Sequence, residues 1–125
     1  MKVVHTNEAP AAIGPYSQAM EVGNLILASG QIPLIPETME VIEGGIVEQT
    51  DQVMKNVTNL LKACGVTLNE VAKTTCYLRN MEDFPQFNEV YAKYFGDHKP
   101  ARSTVAVREL PKNVLCEVEV IAVKK

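Results

Sequence analysis

An arginine and two glutamates near the end of the chain are residue types that can hold a small anion and hydrolyse it. Arg102 lies in the run Ala101–Val107, and Glu117 and Glu119 lie in the run Val114–Val123. A guanidinium binds a carboxylate through two parallel hydrogen bonds, and a glutamate can take a proton from water. A structural ion pair uses the same residue types, so the pattern alone allows both interpretations.

Both runs have the composition of β-strands. They are rich in β-branched residues, and Leu110–Asn113 between them contains residue types that favour turns. We therefore predict a β-hairpin. An even number of connecting residues, such as Leu110–Asn113, would place Arg102 on the same face as Glu117 and Glu119, whereas an odd number would separate them. The alternate residues that form the other, apolar face of the second strand are Val114, Cys116, Val118, Val120 and Ala122.

The preceding chain predicts the elements that must position these residues. A first hairpin is indicated by two apolar runs around Gly23-Asn24, and a short edge strand by Val3–His5. An apolar stripe from Thr50 to Cys64 has helical spacing and stops at Gly65. The further predicted elements are a capped turn at Thr67–Glu70, a strand over Val71–Leu78, and a helix over Phe84–Phe95 with Asp83 as its cap and Gly96 at its end.

This order of elements predicts a single α+β domain spanning residues 1–125. We expect a two-layer, mixed β-sheet of about six strands with two helices on one face. Two helices cover only one face, yet Leu25–Ala28 and the C-terminal strand have apolar residues on both faces. An uncovered apolar face favours self-association, so we expect a closed homo-oligomer.

Composition argues against several classes of function. The net charge is −3 and no basic cluster is present, which disfavours nucleic acid as a partner. No apolar run approaches the roughly 20 residues that span a membrane, and the N-terminus lacks a signal-peptide core, so we expect a cytoplasmic protein. Cys64, Cys76 and Cys116 are predicted to be buried free thiols, and no motif indicates a metal, nucleotide or other cofactor.

Several motifs along the chain occur together in one known family. They are Ala9–Ala19, Ser29–Pro33, Pro100–Val105, Leu110–Lys112 and Glu117–Ala122. In these motifs and their order, the chain resembles the reactive intermediate/imine deaminase family, known as the Rid or YjgF family. The resemblance implies a chorismate-mutase-like fold, a homotrimer, and active sites in the clefts between subunits.

The resemblance also implies a reaction. It is the cofactor-independent hydrolysis of 2-imino acids, such as 2-iminopropanoate and 2-iminobutanoate, to 2-keto acids and ammonia. Arg102 would anchor the substrate carboxylate, and Glu117 would position water. Asn88 would contribute across a subunit boundary, and Glu119 is assigned a structural role. The implied substrate-binding residues are Tyr16, Ser29, Gly30, Ile32, Asn88, Arg102 and Thr104, the last a position where many relatives carry cysteine.

Two other classes of function remain open from the sequence. A non-catalytic regulator would use the same arginine to bind small carboxylates or keto acids. Ribonuclease and holdase chaperone activities have been ascribed to some relatives. The acidic charge balance counts against the ribonuclease, and no feature of the sequence specifically supports a chaperone.

Overall fold

The computed structural model describes residues 1–125. The chain forms a six-stranded mixed sheet and two α-helices, which confirms the predicted α+β, chorismate-mutase-like architecture. The strands are β1 (Lys2–Val4), β2 (Ala19–Val22), β3 (Leu25–Ala28), β4 (Val71–Leu78), β5 (Ala101–Ala106) and β6 (Cys116–Val123), and the helices are α1 (Ile46–Ala63) and α2 (Phe84–Phe95). Neither helix has the combination of length and apolar composition needed to cross a membrane.

Helix α1 forms because its apolar residues recur at helical spacing. The predicted stripe from Thr50 to Cys64 is buried throughout. At the N-terminus, the Glu48 carboxylate accepts a hydrogen bond from the backbone N–H of Gly45 at 2.8 Å. At the C-terminus, Gly65 takes a φ of +80°, a conformation in which glycine avoids the strain that a Cβ would cause.

Helix α2 begins and ends at the predicted residues. Phe87, Tyr91 and Phe95 on its inner face are buried in the core. Pro85 occupies the first turn, where its missing N–H has no helical partner. Asp83 precedes the helix, but its side chain makes no capping hydrogen bond, so the predicted capping role is wrong. The turn before the helix is itself a short 3₁₀ segment, Met81–Asp83.

The sheet has the order β1-β2-β3-β6-β4-β5. The predicted first hairpin is confirmed, since β2 and β3 pair antiparallel across the turn at Gly23 and Asn24. The predicted C-terminal hairpin is wrong. Strand β4 lies between β5 and β6, pairing parallel with β5 and antiparallel with β6. A turn with Lys112 and Asn113 in the left-handed conformation does connect β5 to β6. The two strands do not pair with each other, because β4 lies between them.

The register determines which residues share a face of the sheet. Arg102 pairs with Thr74, and Thr74 pairs on its other side with Val120, so all three project toward the helices. Glu117 and Glu119 pair with Tyr77 and Thr75 and therefore project from the opposite face. Of the two arrangements that the sequence left open, the structure has the second, with Arg102 on the opposite face from the two glutamates within one chain.

The helix-covered face holds the core. The inward residues of β6 are buried as predicted, and the three cysteines are buried free thiols. The opposite face has no covering layer. Large apolar side chains remain exposed on this open face of the sheet, namely Val3, Val22, Leu25, Leu27, Val105 and Ile121.

Candidate active site

The predicted site residues form two separate groups in the chain. Tyr16, Ser29, Gly30, Ile32 and Glu117 line one cavity of about 640 Å³, hereafter the Glu117 cavity. Arg102 and Asn88 line a different cavity of about 450 Å³, hereafter the Arg102 cavity. Thr104 lies two residues after Arg102 on the same face of β5 and lines neither of these cavities. The structure therefore collects most of the predicted residues into two groups, which line separate cavities.

Glu117 is placed by the close packing of β6 against the segment after β3. Gln31 forms an isolated bridge to Val118, with backbone N–H to O distances of 2.8 and 3.1 Å, and this holds Gly30 beside Glu117. A Cβ at Gly30 would overlap Oε2 of Glu117. Only glycine leaves room for the carboxylate in this position, so the close approach explains the glycine.

The Glu117 carboxylate is chemically unusual for a glutamate. Burial raises its pKa, and the neighbouring charge of Glu119 raises it further. No side chain or backbone group of the chain donates a hydrogen bond to it, and no cation forms a salt bridge with it. A half-buried carboxylate without a partner can accept a proton from water or hold a water molecule in place.

Glu119 lies in the same cavity and has a partner. The hydroxyl of Tyr77 donates to its Oε1 at 2.6 Å, and this hydrogen bond raises the pKa of Tyr77 to about 12. The tyrosine therefore stays neutral near pH 7 and holds the second carboxylate on the open face of the sheet. The sequence-based assignment of a structural role to Glu119 is compatible with this contact, although the residue also lines the cavity.

The remaining wall of the Glu117 cavity comes from the loop before β2. Gln18 is buried and ties this loop to the sheet, because its amide donates to the carbonyl oxygens of Thr6, Ala9 and Pro10 at 2.8–3.3 Å. Its Oε1 accepts from the backbone N–H of Thr6 at 2.8 Å. Tyr16 projects from the end of this loop and is 53% exposed, which leaves its ring available to a ligand.

Ser29 contributes its hydroxyl to the same wall. The hydroxyl donates to the carbonyl of Ser17 at 2.6 Å, which fixes the side chain across the loop. Its only proton is used in that bond, so toward the cavity Ser29 can act only as an acceptor. A ligand group that meets Ser29 must therefore be a hydrogen-bond donor, such as a protonated imine nitrogen.

Helix α1 secures the segment that contains Ile32. Asn56 is buried, and its amide donates to the carbonyl oxygens of Ile32 and Leu34 at 3.1 and 2.9 Å. Gln52 donates to Oδ1 of Asn56 at 3.0 Å and so fixes the direction of that amide. Sequence reasoning missed both residues, because a polar residue within a helical stripe gives no sign of the loop it will meet.

Arg102 is held without an acidic partner. Its Nη1 donates to Oδ1 of Asn88 at 2.7 Å, and its guanidinium carbon lies 5.3 Å from the ring centroid of Phe84 and 4.8 Å from that of Tyr91. The aromatic faces stabilise the cation and restrict its position. No carboxylate forms a salt bridge with it, so the structural ion pair that the sequence left open is absent.

Thr104 lies beside this arginine with an unsatisfied hydroxyl. Its Oγ1 is buried and has no hydrogen-bond partner in the chain. A buried hydroxyl without a partner is unfavourable unless a ligand or another chain supplies one. The chain offers no group of three or more histidine, cysteine, aspartate or glutamate side chains that could hold a metal ion.

Residues beyond those predicted complete the Glu117 cavity. Leu34, Met39 and Lys112 line it together with the residues named above. Lys112 was within reach of sequence reasoning, since Leu110–Lys112 is one of the motifs of the family resemblance. Met39 lies in the long loop before α1 and carries no comparable signal.

Comparison with known proteins places the chain in a family. The family model described as Endoribonuclease L-PSP matches residues 6–124. A 2-iminobutanoate/2-iminopropanoate deaminase of Mus musculus is 46% identical over 123 residues, which are 98% of this chain and 91% of the mouse protein. Reactive Intermediate Deaminase A of Arabidopsis thaliana is 49% identical over 121 residues, 97% of this chain and 65% of the plant protein.

A solved structure agrees with this relationship. The crystal structure of E. coli TdcF with bound serine superposes with a TM-score of 0.95, at 38% identity, and the match covers 100% of both chains. The motifs of the sequence, the fold and the full-length matches all lead to the same assignment. The chain therefore belongs to the Endoribonuclease L-PSP family, which includes the reactive intermediate deaminases.

Proposed function

We propose that this protein hydrolyses 2-imino acids, such as 2-iminopropanoate and 2-iminobutanoate, to 2-keto acids and ammonia without a cofactor. The observation that carries the proposal is the state of Arg102. Its guanidinium is held by an amide and two aromatic rings but has no carboxylate partner, so its charge is available to a substrate carboxylate. The deaminase names of the mouse and Arabidopsis relatives support the same reaction.

The residues suggest a simple course for the reaction. Arg102 binds the carboxylate of the imino acid, and Glu117 holds a water molecule against the imine carbon. The water oxygen bonds to the carbon of the protonated imine, the C=N electrons move to nitrogen, and Glu117 takes a proton from the water. Glu117 returns that proton to the nitrogen of the carbinolamine, the C–N bond breaks with its electrons on nitrogen to release ammonia, and the hydroxyl loses its proton to Glu117 as it becomes the carbonyl of the keto acid. Positioning supplies most of the acceleration.

Two copies of the chain are needed for this site in our proposal. Arg102 and Glu117 project from opposite faces of one sheet, so a single chain does not present both to one substrate. A second copy packed on the open face would bring the Arg102 cavity of one subunit to the Glu117 cavity of the next. The exposed apolar residues of that face and the unsatisfied Thr104 hydroxyl support such an assembly, which we propose is a homotrimer.

A coupled assay tests the reaction. An amino-acid oxidase generates the imine in situ, and keto-acid release is followed with and without the protein. Arg102→Ala should lower kcat/KM by on the order of 100-fold, because a buried charge–charge contact is lost. Glu117→Gln should lower kcat by about 100- to 10,000-fold, the usual contribution of a general base. Arg108→Ala is the matched control, since Arg108 is exposed and lines neither cavity.

The outcomes separate the competing functions. Binding of 2-keto acids without any acceleration of imine hydrolysis would indicate a carboxylate-binding regulator instead. Cleavage of RNA that survives Arg102→Ala and Glu117→Gln would favour the activity in the family description. The net charge of −3 argues against that last result.

Mixed oligomers test the composite site. Arg102→Ala and Glu117→Gln subunits should each be inactive alone, but unfolding and refolding them together in equal amounts should restore activity. Random mixing places both intact residues in about a quarter of the inter-subunit sites, so about a quarter of the wild-type rate is expected. A site contained within one chain would give no recovery, and that result would contradict the two-copy arrangement.

A further inference from the structure

Backbone conformation distinguishes two residues of the Glu117 cavity. Met39, Lys112 and Asn113 are the only residues other than glycine with a positive φ, at 61°, 54° and 57°. Met39 and Lys112 line the cavity, and Asn113 does not. The left-handed conformation is unfavourable for a lysine, whereas asparagine adopts it more readily. The chain therefore retains lysine at a position where glycine would fit better, and strain of this kind concentrates at binding sites.

The charges around Lys112 leave its ammonium without a partner. Lys112 is the only cationic residue that lines the Glu117 cavity, and Glu117 and Glu119 are the only acidic ones. It forms no salt bridge with either glutamate and makes no side-chain hydrogen bond within the chain. A strained backbone thus places an unpaired cation at a cavity that must admit an anion.

The lining of the cavity includes apolar surface beside Lys112. In the single chain the cavity measures about 640 Å³, and the second copy of the proposed site would occupy part of it. In the proposed site, the carboxylate next to the imine is bound by Arg102, so Lys112 is free for a different group. Lys112 would therefore meet an anionic group on the side chain of the substrate.

We propose that Lys112 is a specificity-determining residue that binds an acidic side chain of the substrate, so that the site accepts dicarboxylic as well as aliphatic 2-imino acids. This inference rests on the proposed function and names a substrate class for the same site. Ile13, Ile32 and Leu34 provide the apolar surface along which the side chain would lie. Glu117 remains unpaired and keeps its role toward water.

Substrate selectivity provides the test. The imino acid of glutamate, made in situ by glutamate oxidase, is compared with that of 2-aminobutanoate, made by an amino-acid oxidase. Lys112→Gln should lower kcat/KM for the dicarboxylic substrate about three- to fivefold more than for the aliphatic one, mainly through KM, as expected for one exposed ion pair. Lys112→Arg should retain most of the selectivity.

Asn113→Gly is the matched control. This residue has nearly the same backbone conformation in the same turn but does not line the cavity, so its substitution should leave the selectivity unchanged. Lys112→Gly should raise Tm by relieving the left-handed strain while losing the selectivity, which separates binding from folding. An equal loss for both substrates, or none, in Lys112→Gln would overturn the inference.

A binding measurement keeps the inference separate from the proposed reaction. Calorimetry would compare the affinities for 2-oxoglutarate and 2-oxobutanoate in the wild-type protein and in Lys112→Gln. The inference expects the variant to lose affinity for the dicarboxylate selectively, even if the protein hydrolyses no imine at all. Absence of hydrolysis would refute the proposed function, whereas an unchanged affinity ratio would refute the role of Lys112.

Discussion

At the scale of single residues, the pKa of Glu117 depends on two neighbours, Gly30 and Glu119. The absence of a side chain at Gly30 allows the Glu117 carboxylate to lie against the backbone, where it loses contact with water. Burial and the nearby charge of Glu119 together raise the pKa of Glu117. A higher pKa makes the carboxylate a better proton acceptor but reduces its ionised fraction at low pH.

The pH dependence of hydrolysis should show this coupling. A general base works only when it is ionised, so kcat/KM should fall as the pH drops through the pKa of Glu117. Glu119→Gln removes a neighbouring negative charge, lowers that pKa, and should move the acidic limb of the pH–rate profile to lower pH. The profile is measured with the coupled assay at constant ionic strength.

Tyr77→Phe is the control for that experiment. It removes the 2.6 Å hydrogen bond to Glu119 and leaves the charge in place. The acidic limb should therefore stay close to that of the wild-type protein. A shift of equal size in both variants would mean that side-chain position, and not charge, controls the pKa of Glu117.

At the scale of elements, the Glu117 cavity depends on contacts between α1 and the segment that follows β3. After the bridge at Gln31, this segment contains Pro33 and forms no further pairing with β6. There the buried Asn56 donates to two of its carbonyl groups, and Gln52 orients the amide. A helix that packs on the sheet thus also positions a wall of the candidate active site.

Removal of the Asn56 side chain should destabilise the fold measurably. Asn56→Ala leaves the buried carbonyl of Leu34 without a donor and removes one of the two hydrogen bonds to the carbonyl of Ile32, which keeps the Leu34 N–H. We expect the free energy of unfolding to fall by about 2–3 kcal/mol. Asn59→Ala is the matched control on the same helix, because its one hydrogen bond, to the Glu8 carbonyl, is exposed. That variant should change stability by less than about 0.5 kcal/mol. Urea denaturation measures both values, and equal effects would argue against the buried contact.

At the scale of the whole molecule, the open face of the sheet determines how copies associate. It carries apolar residues beside the hydrogen-bonded pair of Tyr77 and Glu119, a mixture of apolar and paired polar groups that suits an interface. The proposed two-copy site would lie at the edges of this surface. Oligomerisation and activity should therefore be lost together.

Two substitutions of equally exposed residues test that link. Leu27 on the open face and Val47 in the groove between α1 and α2 are each 41% exposed. Leu27→Glu should dissociate the oligomer and reduce imine hydrolysis, since a charge on the interface is desolvated on association. Val47→Glu should affect neither. Sedimentation gives the masses, and a monomeric wild-type protein with full activity would contradict the proposal.

The sequence by itself determined the local structure of this protein. Helix α2 and strand β4 have their predicted bounds because their signals, an apolar stripe ending at glycine and a run of β-branched residues, act over a few neighbours. The family motifs likewise contain Glu117 and most of the residues that share its cavity, which lie before β2, after β3, and before or on β6.

Only the tertiary structure decided the strand order and, with it, the relation of Arg102 to Glu117. Two strands that follow one another along the chain usually pair, but here β4 inserts between β5 and β6. Pairing of this kind depends on contacts between residues distant in sequence, which no local pattern records. With this order and register, Arg102 lies on the opposite face from Glu117, so one chain carries the two residues in separate cavities.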